Sequence, residues 1–154
     1  MKYSLPAVCL SALLLAACTP TASVRYLSPT ISGKITQADT PAVDVTVKLS
    51  VKHNDKTCLS TALETRTNTY GEFNLVSVKK KLDYTPLMEH YLDEWNICIV
   101  KGGTSYPVYS NNRYGQGSVN QDLQLQCNIP ASPDEAPVCK VRTIAGERDS
   151  MHAY

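Results

Sequence analysis

Between Val43 and Val51 the chain alternates without a break: Val43, Val45, Val47, Leu49 and Val51 are separated by Asp44, Thr46, Lys48 and Ser50. Side chains change face at every residue only in extended backbone, so the pattern sorts aliphatic and polar groups onto opposite sides of a strand. A strand with one dry face needs neighbours in a sheet and a second layer to cover that face. The rest of the chain has to supply both.

It supplies six further β runs. Ile31 to Thr36 is followed by the turn-like Asp39-Thr40-Pro41, and His53-Asn54-Asp55-Lys56 turns the chain into a strand from Cys58 to Thr67, where Leu59 and Leu63 share a face. After a turn over 68–71, Glu72 to Val78 buries Phe73 and Leu75. Trp95 to Lys101 passes through Gly102-Gly103, a tight hairpin turn, into Thr104 to Tyr109. A Gly/Asn loop over 111–117 leads to Val119 to Ile129. Seven short strands at this spacing predict an all-β sandwich. Its expected core is Val45, Val47, Leu49, Phe73, Leu75, Ile97, Ile99, Leu123 and Leu125. Lys79-Lys80-Lys81 reads as a solvated strand end. Residues 82–94 interrupt the β rhythm. Thr85 as N-cap, Pro86 at the first helical position, and the pairs Leu87/Tyr91 and Met88/Leu92 predict a short helical insert near 85–92.

The first residues are of a different kind. Lys2 precedes an apolar stretch from Leu5, which ends in Leu15-Ala16-Ala17-Cys18. A charged start, an apolar run and small residues before a cut describe a secretory signal. The run is short of the roughly 20 residues that cross a bilayer. A cysteine directly after the small residues resembles the lipidation site of bacterial lipoproteins. That resemblance implies cleavage of residues 1–17 and a diacylglycerol on the Cys18 thiol. Thr19 follows, where an Asp would retain many such proteins in the inner membrane, so the resemblance implies an outer-membrane anchor with the domain facing the periplasm. The alternative is an ordinary signal peptide that happens to carry a cysteine. Residues 18–30 are rich in Ser, Thr and Pro and suit a tether. The domain then spans 31–130, and 131–154, broken by Pro133 and Pro137, reads as an irregular tail.

Removing residues 1–17 leaves 137 of 154 residues and takes away only Lys2, so the 15 basic and 14 acidic side chains become 14 of each. A balanced chain has no overall electrostatic footprint for nucleic acid or an anionic membrane. Four of the 6 cysteines remain besides Cys18: Cys58, Cys98, Cys127 and Cys139. In an exported chain they read as two disulfides, with three possible pairings. Zinc-knuckle spacing is absent, so no metal site is expected. Cys58 has parity opposite to Leu59 and Leu63, as Cys98 has to Ile97 and Ile99, which favours Cys58–Cys98. Cys127 with Cys139 would then close a short loop and pin the tail.

Within this β pattern the residue order is similar to the carboxypeptidase regulatory-like family. Its opening strand is matched by Ile31-Ser32-Gly33-Lys34-Ile35, and its Val-x-Val-x-Leu strand by Pro41 through Leu49. Its signature is matched by Thr65-Arg66-Thr67-Asn68-Thr69-Tyr70-Gly71-Glu72-Phe73, with Asn68 in place of the usual Asp. Either side chain can bond the backbone two residues on and hold the turn. The resemblance implies a seven-stranded transthyretin-like, immunoglobulin-like sandwich and specifies no activity.

No enzyme is expected, and no cofactor. His53, His90 and His152 lie in a turn, the insert and the tail. No Gly-x-Ser-x-Gly elbow or His-Glu-x-x-His helix occurs. Transthyretin-related hydroxyisourate hydrolases end in Tyr-Arg-Gly-Ser, and this chain ends in Met151-His152-Ala153-Tyr154. A possible binding surface is Tyr106, Tyr109, Asn111, Asn112, Arg113 and Tyr114, since Tyr and Arg dominate contact energy at interfaces. Cross-strand tyrosines covering a sheet face are the structural alternative. The expected role is a lipid-anchored protein-binding module whose partner is another envelope protein. A carbohydrate- or peptidoglycan-binding module and a secretion-system accessory lipoprotein are the other readings. The last rests on resemblance to the transthyretin-fold lipoprotein of the type VI secretion machine.

Overall fold

The computed structural model of the chain describes residues 23–82, 92–114, 121–132 and 135–145. In chain order its strands are β1 (Ser23–Tyr26), β2 (Ile31–Gln37), β3 (Thr40–Pro41), β4 (Thr46–Ser50), β5 (Leu63–Arg66), β6 (Glu72–Leu75), β7 (Lys79–Leu82), β8 (Leu92–Lys101), β9 (Thr104–Tyr114), β10 (Gln121–Ile129) and β11 (Val138–Ala145). The fold is all-β, with eleven strands among the described residues where alternation predicts seven.

One sheet has the order β11-β10-β2-β3, with β6 also paired to β2, and the other has the order β5-β4-β8-β9. β2 runs parallel to β10 with Ile31 opposite Leu123, and every other pair is antiparallel. The two inner faces meet in one core. Ile31, Ile35, Phe73, Leu75, Leu123, Leu125 and Ile129 come from the first sheet, and Val47, Leu49, Trp95, Ile97 and Ile99 from the second. Eight of the nine expected core residues are buried. Val45 packs half-buried at the margin.

Val45 is marginal because the strand is shorter than its pattern. Asp44 has φ 59°, a left-handed conformation that interrupts extended backbone before Thr46. Val43 is 54% exposed in consequence. Thr67 bridges the break: its Oγ1 donates to Ala42 O at 2.6 Å and accepts from Val45 N–H at 2.9 Å. The Arg66–Asp44 ion pair spans the same turn at 2.9 Å. Both partners are exposed, so solvent screening leaves the pair little weight in stability.

The turn before β6 is built by Asn68, whose Oδ1 accepts from the N–H groups of Tyr70 and Glu72, both at 2.9 Å. Gly71 follows with φ 74°, and a Cβ there would run into the Ile35 carbonyl. This delivers Phe73 opposite Gly33. A Cβ on Gly33 would collide with the Phe73 ring and the Leu125 carbonyl, so the ring lies where a side chain of β2 would otherwise stand.

Several segments differ from expectation. Residues 138–145, read as part of an irregular tail, form β11 and pair with β10 from Asn128↔Val138 to Gln121↔Ala145. The Ser/Thr/Pro composition of the tether conceals β1, and the lysine run is β7. The two form a separate ribbon. The strand expected from Cys58 begins only at Leu63, because residues 51–62 loop outward and leave Leu59 85% exposed. The helical insert expected near 85–92 falls outside the described residues except at Leu92, which opens β8.

Candidate functional site

On β8 the odd residues Trp95, Ile97 and Ile99 enter the core, so Glu94, Asn96 and Cys98 take the opposite face. They are nonetheless buried, because the 51–62 loop folds over them. Cys58 closes the cover through its bridge to Cys98, with Cα atoms 6.1 Å apart. Asp55 holds the loop from within. Its carboxylate accepts from the Ser50 hydroxyl at 2.7 Å and from the N–H groups of Leu59 and Ser60 at 2.8 and 2.7 Å. Burial pushes the Asp55 carboxyl upward, but those bonds and the charge of Lys52 outweigh it and hold the group below its usual range. Glu94 is held low as well, by the Asn54 backbone N–H first, against burial, with help from the His53 charge and from Asn96. His53 Nδ1 lies 2.6 Å from Glu94 Oε2. The fully buried Asn96 amide acts on Glu94 only as a nearby dipole, since neither of its polar atoms meets hydrogen-bond geometry with a partner among the described residues. The two carboxylates fasten the loop to the sheet, Asp55 through Ser50 of β4 and the loop backbone, and Glu94 of β8 through His53 and Asn54.

The surface expected from the tyrosines lies on β9. Gly102 and Gly103, at φ 56° and 82°, make the tight turn from β8 that sets its register. Trp95 pairs with Asn111 and Ile97 with Tyr109, so Trp95 and Tyr109 are diagonal neighbours on the inner face. Their rings stack with centroids 5.2 Å apart. Tyr109 therefore covers core, and Tyr106 and Asn111 are half-buried beside it. β9 continues to Tyr114 at the end of its sheet order. The side chains of Asn112, Arg113 and Tyr114 lie outside the described residues, as do all atoms of Cys18. Where the two sheets part, a small pocket of about 50 Å³ has Trp95, Tyr109 and Leu123 as its floor and Asn111, Gln121 and Thr143 as its rim.

A larger depression, of about 580 Å³, was not foreseen from sequence. It lies on the outer side of the β2, β6 and β10 sheet and is lined by Ser32, Lys34, Glu72, Asn74, Gln124 and Gln126, with Arg66 from β5. The signal for it is the polar half of three alternations, visible only when β2 is known to lie between β6 and β10. Among the described residues no three His, Cys, Asp or Glu side chains converge as metal ligands would.

A family profile described as a domain of unknown function, DUF6795, matches residues 31–131. The chain belongs to this family. Comparison with curated proteins found no match. Among solved structures, 3-chlorocatechol 1,2-dioxygenase from Rhodococcus opacus 1CP is similar over 78% of this chain and 60% of its own, at 10% identity and a TM-score of 0.31. The chain thus spans about three fifths of that enzyme's length, and a likeness this faint carries no argument. The DUF6795 span holds both sheets except β11. Cys139 lies beyond it, so the Cys127–Cys139 bridge, with Cα atoms 4.1 Å apart, ties β11 to the DUF6795 domain.

Proposed function

We propose that the chain is a lipid-anchored envelope lipoprotein, held to the outer membrane through Cys18, whose β-sandwich faces the periplasm and binds another envelope protein without catalysing a reaction. The arrangement of cysteines carries this reading. Cys58–Cys98 and Cys127–Cys139 are both closed, a state that persists in oxidising compartments outside the cytosol. Cys9 and Cys18 alone stand apart, in the leader and at its cleavage site. We read the domain as transthyretin-like, of the carboxypeptidase regulatory-like kind, on the strength of the Asn68 turn, Gly71 and the Phe73 plug.

Binding is favoured over catalysis because Asp55 and Glu94 are consumed in fixing the covering loop. β9 ends its sheet order, and an extended partner segment can add there by main-chain hydrogen bonds, with the Trp95–Tyr109 pocket taking one small apolar group. A glycan-binding module is the second reading. It is favoured by the outer groove, whose amides and hydroxyls match sugar hydroxyls.

Two measurements test this. Cys18→Ser should leave the chain soluble or unprocessed, since loss of several acyl chains at about 0.8 kcal/mol per buried methylene removes the anchor. A processed Cys18→Ser chain that still sediments with membranes rules the anchor out. A photo-crosslinking residue in place of the exposed Ser110 should capture one envelope protein in cells, while the same reagent at Asn74 in the groove should not. Glycan adducts at Asn74 would support the second reading over the first.

A further inference from the structure

β1 and β7 pair in the register Val24↔Lys81, Arg25↔Lys80, Tyr26↔Lys79. Opposite and alternate residues share a face, so Val24, Tyr26, Lys79 and Lys81 lie on one side of the ribbon and Arg25 and Lys80 on the other. All three lysines are exposed. Val24 is 51% exposed, an apolar group left in solvent between cations. Lys79 Nζ stands 5.1 Å from the centre of the Tyr26 ring. The two strands hold no carboxylate, and of their four cations Lys79 and Lys81 share the face of Val24 and Tyr26.

The position of the ribbon gives this charge a target. Ser23 is five residues after Cys18, and five residues reach at most about 18 Å. We infer that the β1–β7 ribbon is a second membrane contact, lying on anionic phospholipid headgroups of the leaflet that holds the acyl chains and setting how the sandwich stands on it. The span rests on the proposed anchor; the charge pattern does not. Lysine stems lie along apolar surface while their ammonium groups reach outward to phosphate, and a tyrosine ring settles at the same depth. The balanced charge of the whole chain does not oppose this, because attraction to a surface is felt only within about 8 Å at physiological salt. Each lysine at an anionic surface contributes about fivefold in partitioning.

The test separates this contact from the anchor. The mature chain from residue 18, carrying Cys18→Ser, keeps every described strand and has no lipid. It should sediment with vesicles of mixed phosphatidylglycerol and phosphatidylcholine. Added salt should release it, and pure phosphatidylcholine should not bind it. The double variant Lys79→Gln, Lys81→Gln should bind about 25-fold less, and the matching arginine double should bind as before. Near-ultraviolet circular dichroism checks that both fold. Equal binding to neutral and anionic vesicles, or unchanged binding by the folded Lys79→Gln, Lys81→Gln double, overturns the inference, and the lipid comparison needs no variant. Failure of the anchor would instead appear as missing acyl mass on Cys18, with the vesicle result intact.

Discussion

Phe73→Ala should destabilise the domain by about 3–5 kcal/mol, the usual cost of truncating a buried aromatic. The upper part of that range is expected because the ring fills two roles. It occupies the core of its own strand, and it covers the position that Gly33 leaves empty on β2. Removing it therefore opens a void bounded by backbone, the Leu125 carbonyl included, which cannot collapse as flexible side chains do. Domains of this size have only about 5–15 kcal/mol in all. Urea denaturation gives the measurement, as a lower midpoint at unchanged slope. A loss below ~1 kcal/mol would show that the ring is not a core plug.

The second large effect is expected from Cys58→Ala combined with Cys98→Ala. The bridge spans 40 residues, and a loop of that length restricts the unfolded chain by about 4 kcal/mol. A fall in Tm of roughly 10–20 °C should follow. The loss has a local signature as well. Without the bridge, the loop over β8 keeps its bonds through Asp55, His53 and Ser105, and trypsin should cut after Lys52 and Lys56 faster than in the oxidised protein. Melting within about 3 °C of the parent, with both sites still protected, would assign the cover to Asp55 rather than to the disulfide.

Much of this was legible in the sequence. Alternation located β4 and β10, and the Thr65–Phe73 motif placed the turn and the plug. Strand parity also points to the observed cysteine pairing, but it applies to only one partner of the first bridge. Cys98 does face away from the core on β8, as parity requires. Cys58 is not on a strand at all; its φ of 53° belongs to the loop, and a tertiary contact brings it to its partner. What escaped was non-local. β1, β7 and β11 are short or proline-flanked and gain their hydrogen bonds from distant segments, so nothing in their own composition announces them. The left-handed Asp44 was hidden inside a perfect alternation. Tyr109 covers core because register, which single strands do not reveal, turns it onto Trp95. The outer groove needed the order of three strands before its residues could be seen as neighbours.

The parallel pairing of β2 with β10 governs when this fold can appear. Ile31 finds Leu123 only after 92 residues, and neither β6 nor the opposite sheet gives β2 a neighbour on that side. A chain threaded through a membrane from its N-terminus presents β2 early and β10 nearly last. The sandwich cannot close while passage is under way, because loop closure over that distance comes before any reward from the contacts. Under the proposed export, the chain would cross before the sandwich closes, and residues 1–17 would meet processing enzymes before a folded body stands beside them.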